Sequence, residues 1–171
     1  MKKNLVLTGM MGVGKSTVGK NLAQKLSYNF VDIDKTIETR EGSTINLIFK
    51  NKSESYFRKL ENDISLEKLK KKNTVISLGG GAFLNKSIRR AVKNTSVSFW
   101  LDVDVAELIK RLKKTKKRPL LHNKNLHFTV NKIYLERKKT YSEADYRIKC
   151  GNLKIDDIVK KILRMYDDSR N

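Results

Sequence analysis

Leu5-Val6-Leu7-Thr8-Gly9-Met10-Met11-Gly12-Val13-Gly14-Lys15-Ser16-Thr17 is an apolar run that meets glycines at once and closes in the pattern G-x-x-x-x-G-K-[ST]. The uninterrupted apolar residues at 5–7 read as a parallel strand buried on both faces. Beyond Lys15, the recurrence of Val18, Leu22 and Leu26 every four residues predicts an amphipathic helix from about Lys15 to Leu26. Strand, glycine-rich turn and helix N-terminus, in that order, are the setting in which such a pattern grips phosphate. Glycines let backbone N–H groups turn inward around phosphate oxygens, and the helix dipole adds positive partial charge at the same place. Lys15 is expected to reach the β- and γ-phosphates of a nucleotide, and the Ser16 hydroxyl to ligate Mg2+.

Moving outward, Phe30-Val31-Asp32-Ile33-Asp34 reads as a second strand. Its carboxylates at i and i+2 would lean to one side, at the sheet end where α/β proteins bind ligands. A strand-end Asp also serves as a helix N-cap, so the tripeptide alone leaves both uses open. From Ser53 to Lys71 the positions Phe57, Leu60 and Ile64 predict a helix, with Arg58 and Glu61 three apart and therefore neighbours on one flank. Thr74–Leu78 before Gly79-Gly80-Gly81 and Val97–Leu101 before Asp102 read as two more buried strands, each trailed by a helical pattern. Three successive glycines cost backbone entropy, which points to close approach of a ligand or to a tight turn. Val130, Tyr134, Arg137 and Tyr141 share one helical face. Strands alternating with helices predict an α/β fold with a central parallel sheet of about five strands flanked by helices. At 171 residues, with the phosphate loop beginning at residue 9, little chain is spare for a motor's or helicase's second lobe, which favours a P-loop NTPase fold of the nucleoside monophosphate kinase type.

Composition sets the outer limits. With 171 residues, 39% apolar and 33% charged, one Pro and one Cys, the chain fits a single domain over 1–171. Collagen, low-complexity disorder and disulfide scaffolds are excluded. The net charge of +20 comes from 28 Lys and 10 Arg scattered from end to end, the pattern of a lysine-coated surface. A nucleic-acid-binding ATPase is the alternative this charge raises; against it, no basic cluster is interleaved with aromatics. Cys150 has no partner for an internal disulfide, in keeping with the cytoplasm. The opening residues imitate a secretion signal but run straight into the phosphate loop, and are read as mature protein. No apolar run is long enough to span a membrane.

Taken together, six stretches in order over most of the chain resemble the shikimate kinase family. They are Gly9 to Thr17, Asp32-Ile33-Asp34, Phe57-Arg58-Lys59-Leu60-Glu61, Gly79-Gly80-Gly81, Arg118-Pro119-Leu120-Leu121, and Leu135-Glu136-Arg137 through Tyr141. The resemblance implies MgATP-dependent phosphorylation of the 3-hydroxyl of shikimate, on the route to chorismate and the aromatic amino acids. It implies ATP on Gly12, Val13, Gly14, Lys15, Ser16 and Thr17, with Mg2+ held by Ser16 and, through water, by Asp32. Asp34 would contact the shikimate hydroxyls, Arg58 and Arg137 its carboxylate, and Gly79, Gly80 and Gly81 would line the same pocket. Glu61 is similar to the residue that holds Arg58, and Arg118 to a lid arginine that closes over ATP. Catalysis would then fall to Lys15, Asp34 and Arg118, with a substrate-binding subdomain at 33–61 and a lid at 113–125. Arg111, just ahead of the lid, is a candidate adenine contact. The expected partners are the small molecules shikimate and ATP, without nucleic acid or membrane, and the expected state is a monomer. The chain departs from the family pattern in the strongly basic Lys113–Lys117 and around Cys150-Gly151-Asn152, where no adenine contact can be matched. A gluconate kinase or another small-metabolite kinase shares the phosphate loop; Asp34 with Arg58, Glu61 and the three glycines favours shikimate.

Overall fold

Five strands, β1 (Asn4–Thr8), β2 (Asn29–Asp32), β3 (Thr74–Ser77), β4 (Ser96–Asp102) and β5 (Tyr146–Lys149), form one sheet in the computed structural model, which describes residues 3–113 and 125–169. All neighbours are parallel, in the order β2-β3-β1-β4-β5. The helices are α1 (Lys15–Leu26), α2 (Ile33–Glu41), α3 (Ile45–Asn51), α4 (Glu54–Leu69), α5 (Lys86–Thr95), α6 (Val105–Lys113), α7 (Leu126–Tyr141) and α8 (Ile155–Asp168).

The three central strands are buried along their whole length, which is why they read as unbroken apolar or small-polar runs. The chain leaves β1 toward β2 in one direction and afterwards steps the other way across the sheet. Right-handed crossovers therefore divide the helices between the faces, with α1 packed on α8 and α4 on α5. The connection out of β1 reverses the strand order, so the loop after it opens at the carboxyl edge, where ligands of such sheets bind. Helix α1 lies close to β2 because residue 19 has no side chain: a Cβ at Gly19 would stand 2.5 Å from Phe30 Cε2.

One expectation is corrected. The second strand stops at Asp32 rather than running to Asp34. Asp32 has extended backbone and its Oδ1 accepts from Lys35 N at 3.1 Å, so it caps α2, and Ile33 and Asp34 form the first helical turn. A cap of this kind contributes about 1 kcal/mol to helix stability. The two carboxylates thus reach the carboxyl edge of the sheet from different elements, not from one face of a strand. The fifth strand, β5, carries no apolar run: only Ile148 of its four residues is buried, because it lies at the sheet edge. The span 33–61 comprises α2, α3 and the first half of α4, joined by the Phe49–Phe57 ring contact at 4.7 Å. Of the segment 113–125, Lys113 closes α6 and Asn125 precedes α7; residues 114–124, with Arg118, lie outside the described residues.

Candidate active site

Lys15 is almost fully buried at the start of α1, and its Nζ donates to Gly9 O at 2.8 Å and Met10 O at 2.9 Å. The loop's own carbonyls therefore aim the ammonium at the centre of the turn. Two of the glycines are obligatory for different reasons. Gly14 precedes the helix at φ 100°, in the left-handed region, which presents the first N–H groups of α1 unobstructed. Gly9 passes so close to β4 that a Cβ there would lie 2.5 Å from Leu101 O. On the other side of the loop, α6 contributes Leu112, packed against Gly12, and Arg111, whose Nη1 donates to Val13 O at 3.4 Å and whose Nε donates to Glu107 at 3.0 Å.

One helical residue beyond Lys15, the Ser16 hydroxyl donates to Asp32 Oδ2. A hydroxyl and a carboxylate side by side at the mouth of a phosphate loop are hard oxygen donors. They fit Mg2+, which keeps most of its shell for phosphate and water and takes only one or two protein oxygens. Gly12, Lys15, Ser16, Asp32, Asp34 and Ser77 all line a cavity of about 220 Å3, which puts Asp34 beside the phosphate loop.

The turn after β3 is the second focus. A Cβ at Gly79 would stand 2.5 Å from Asp34 Oδ1 and 2.7 Å from Glu61 Oε1; at Gly81 it would stand 2.6 Å from Arg58 Nη1; at Gly80, 3.5 Å from Arg137 Nη1. Three elements, α2, α4 and α7, thus send charged side chains onto one stretch of bare main chain. Gly79 and Gly81 make room for the protein's own charged side chains, whereas a Cβ at Gly80 would meet only ordinary contacts. Arg58 Nη1 donates to Glu61 Oε2 at 2.8 Å across one turn of α4, and Arg137 Nη1 donates to Gly80 O at 3.0 Å. The Tyr141 hydroxyl also donates to Gly80 O, and lies 3.9 Å from Met10 Sδ in the phosphate loop.

Glu61 is 3% exposed, and burial pushes its carboxyl above the ordinary value against the opposing pull of Arg58, with Asp34 adding to the rise. The folded protein therefore holds that proton more tightly than the unfolded chain. Glu61 contributes stability fully below the unfolded-state pKa, and that contribution is lost as pH rises through the folded-state value. Its carboxylate lies against the Arg58 guanidinium and is suited to fix that group in place. Chemically, the arrangement offers two guanidiniums for a small carboxylate around the β3 turn, and Asp34 as an acceptor for a hydroxyl beside the phosphate loop.

Of the residues expected from sequence, Asp34, Arg58, Glu61, Gly79, Gly80, Gly81 and Arg137 meet around the β3 turn, and Gly12 to Thr17 with Asp32 form the adjoining loop region. Arg111 abuts the loop at Val13. Sequence reasoning gave Tyr141 no role; its place on the face of Arg137 was the available signal.

A family model for shikimate kinase matches residues 11–167 of the chain. The shikimate kinase of Persephonella marina is 42% identical over 161 residues, covering 94% of this chain and 97% of that one. That of Caldanaerobacter subterraneus is 37% identical over 164 residues, with 96% of each covered. Among solved structures, a shikimate kinase from Acinetobacter baumannii in complex with shikimate has a TM-score of 0.93 at 33% identity, over 98% of this chain and 94% of that one. A gluconokinase from Sinorhizobium meliloti has a TM-score of 0.62 at 16% identity over 99% and 96%, a likeness of fold alone.

Proposed function

The chain belongs to the shikimate kinase family, and from that premise we propose how its own residues carry out the ATP-dependent phosphorylation of shikimate. The shikimate 3-hydroxyl oxygen attacks the γ-phosphorus, the bond to the β–γ bridging oxygen breaks, and ADP leaves. Asp34, held against the bare main chain of Gly79 beside the phosphate loop, orients that hydroxyl and accepts its proton. Arg58 and Arg137 bracket Gly80 and Gly81 and hold the substrate carboxylate, Glu61 fixing the first and Gly80 O the second. Gly12 to Thr17 bind the phosphates, and the ammonium of Lys15 offsets charge on the transferred group. Ser16 and Asp32 would hold Mg2+, which when bound supplies further neutralisation of that charge. Arg111, in contact with the loop at Val13, serves the nucleotide side. Arg118, outside the described residues, takes the place of a lid arginine within 113–125, and 33–61 that of the substrate-binding subdomain. Cys150, the one cysteine of the sequence and so without a partner for an internal disulfide, supports a reducing compartment such as the cytoplasm. Among the described residues no helix is long and apolar enough to cross a membrane.

The convergence of Asp34, Arg58 and Arg137 on Gly79–Gly81 carries this reading. With MgATP, the protein is expected to turn over shikimate much faster than gluconate or nucleoside monophosphates in a coupled ADP-release assay. Arg137→Ala should raise the shikimate KM about 10- to 100-fold, the cost of one charge-assisted contact, with the ATP KM nearly unchanged. Equal damage to both KM values would remove Arg137 from the clamp.

Glu61 gives a pH test with a definite sign. As pH falls, Glu61 takes up its proton earlier than an exposed glutamate does, Arg58 loses its buried counter-ion, and the shikimate KM should climb from above the ordinary carboxylate range. In Glu61→Gln the KM should already be raised about 10-fold near neutrality, and that part of the acid climb should vanish. An acid profile overlaying the wild type would assign the limb to another group.

A further inference from the structure

We infer that Tyr134, through Asp102 and Arg147, positions Arg137 and thereby sets the affinity for shikimate. The inference rests on Arg137 holding the substrate carboxylate, as proposed above. Of the sixteen residues of α7 only Val130 and Tyr141 are buried, and Leu126, Ile133 and Tyr134 pack on the core only in part, so apolar packing alone fixes the placement of this helix weakly. Polar anchors do it instead, at two strand ends. Tyr141 and Arg137 hold Gly80 O after β3. Two turns before Tyr141, the Tyr134 hydroxyl donates to Asp102 Oδ1 at 3.0 Å, at the end of β4.

Asp102 is a fixed post. It is 7% exposed, and its Oδ2 accepts from both Nε and Nη2 of Arg147, at 2.9 and 2.6 Å. The Arg147 guanidinium lies 4.6 Å over the Trp100 ring, and that ring stands 5.9 Å from Tyr141. Contacts therefore close a loop from Tyr134 through Asp102, Arg147 and Trp100 to Tyr141, back on the same helix. Tyr134 and Tyr141 are seven residues apart, about 10 Å along the axis, and Arg137 lies between them on the same face. A rigid helix pinned on both sides of Arg137 can neither slide nor roll. With the Tyr134 anchor removed, Gly80 becomes a pivot, and the guanidinium of Arg137 no longer has one defined place for a planar, two-point contact.

The test is Tyr134→Phe, which keeps the ring and removes the hydroxyl. Its shikimate KM should rise about fivefold to tenfold, with kcat and the ATP KM within twofold of wild type and the melting temperature nearly unchanged. Trp100 is the only tryptophan of the chain, so its emission should shift in the variant, reporting the opened ring of contacts. In an Arg137→Lys background, where planar two-point contact is already lost, Tyr134→Phe should add less than twofold. An unchanged shikimate KM, a parallel rise in both KM values, or full additivity with Arg137→Lys would overturn the inference while Arg137→Ala still raised the shikimate KM. If Arg137→Ala itself left that KM unchanged, the clamp reading would fall, and this inference with it.

Discussion

Lys15→Met is expected to lower kcat by about 10²- to 10³-fold, in a protein that still folds and still binds shikimate. The ammonium is held by Gly9 O and Met10 O, so the loop, and not the substrate, sets its position before reaction begins. A charge placed in advance costs no reorganisation when the γ-phosphoryl group separates from ADP, and this is where such charge is most effective. Methionine keeps the apolar stem in its buried slot and removes the charge together with its two hydrogen bonds to the loop. The measurement is steady-state ADP release, set beside a Trp100 fluorescence titration with shikimate. A kcat within tenfold of the wild type would mean that the developing charge is met chiefly by other groups.

Gly79→Ala should reduce kcat/KM by about 100-fold with little loss of thermal stability. The added methyl would meet Asp34 Oδ1 at 2.5 Å and Glu61 Oε1 at 2.7 Å, both at the tips of side chains that can swing away. The fold yields cheaply, but the site does not: a displacement of about 1 Å in an orienting group costs on the order of 10²-fold in rate. At Gly9 the same methyl would meet the main-chain Leu101 O, which cannot move aside. Melting curves and kinetics of Gly79→Ala separate the two kinds of cost. A variant that unfolds, or one with wild-type kcat/KM, would contradict the account of Gly79 as the floor under Asp34 and Glu61.

How much of this was legible in the sequence depends on the length over which each signal is written. The helix after the phosphate loop was predicted from about Lys15 to Leu26 and occupies that span, because loop pattern and apolar repeat agree on its start. Arg58 and Glu61 were legible as a pair because three residues on a helix make neighbours. Asp34 was placed on a strand because Asp32-Ile33-Asp34 alternates as a strand does; the cap formed by Asp32 decides otherwise, and it depends on a hydrogen bond to Lys35 N that alternation cannot express. Strand β5 went unassigned since an edge strand with Arg147 and Lys149 exposed has no apolar run to announce it. The convergence on Gly79–Gly81 and the Tyr134–Asp102–Arg147 cluster join residues tens of positions apart, and only the assembled sheet brings them together.

The contact between Gly19 and Phe30 carries a lesson for anyone wishing to harden this enzyme. A glycine in the middle of a helix is the usual first choice for replacement by alanine, since the exchange gains helix propensity. At position 19 that substitution would wedge α1 away from β2, and Ser16 and Asp32, one on each of those elements, would be drawn apart. The spacing of the two oxygens suited to magnesium is thus inherited from a hydrophobic contact one turn away, and the most conventional route to a sturdier scaffold is closed by its chemistry.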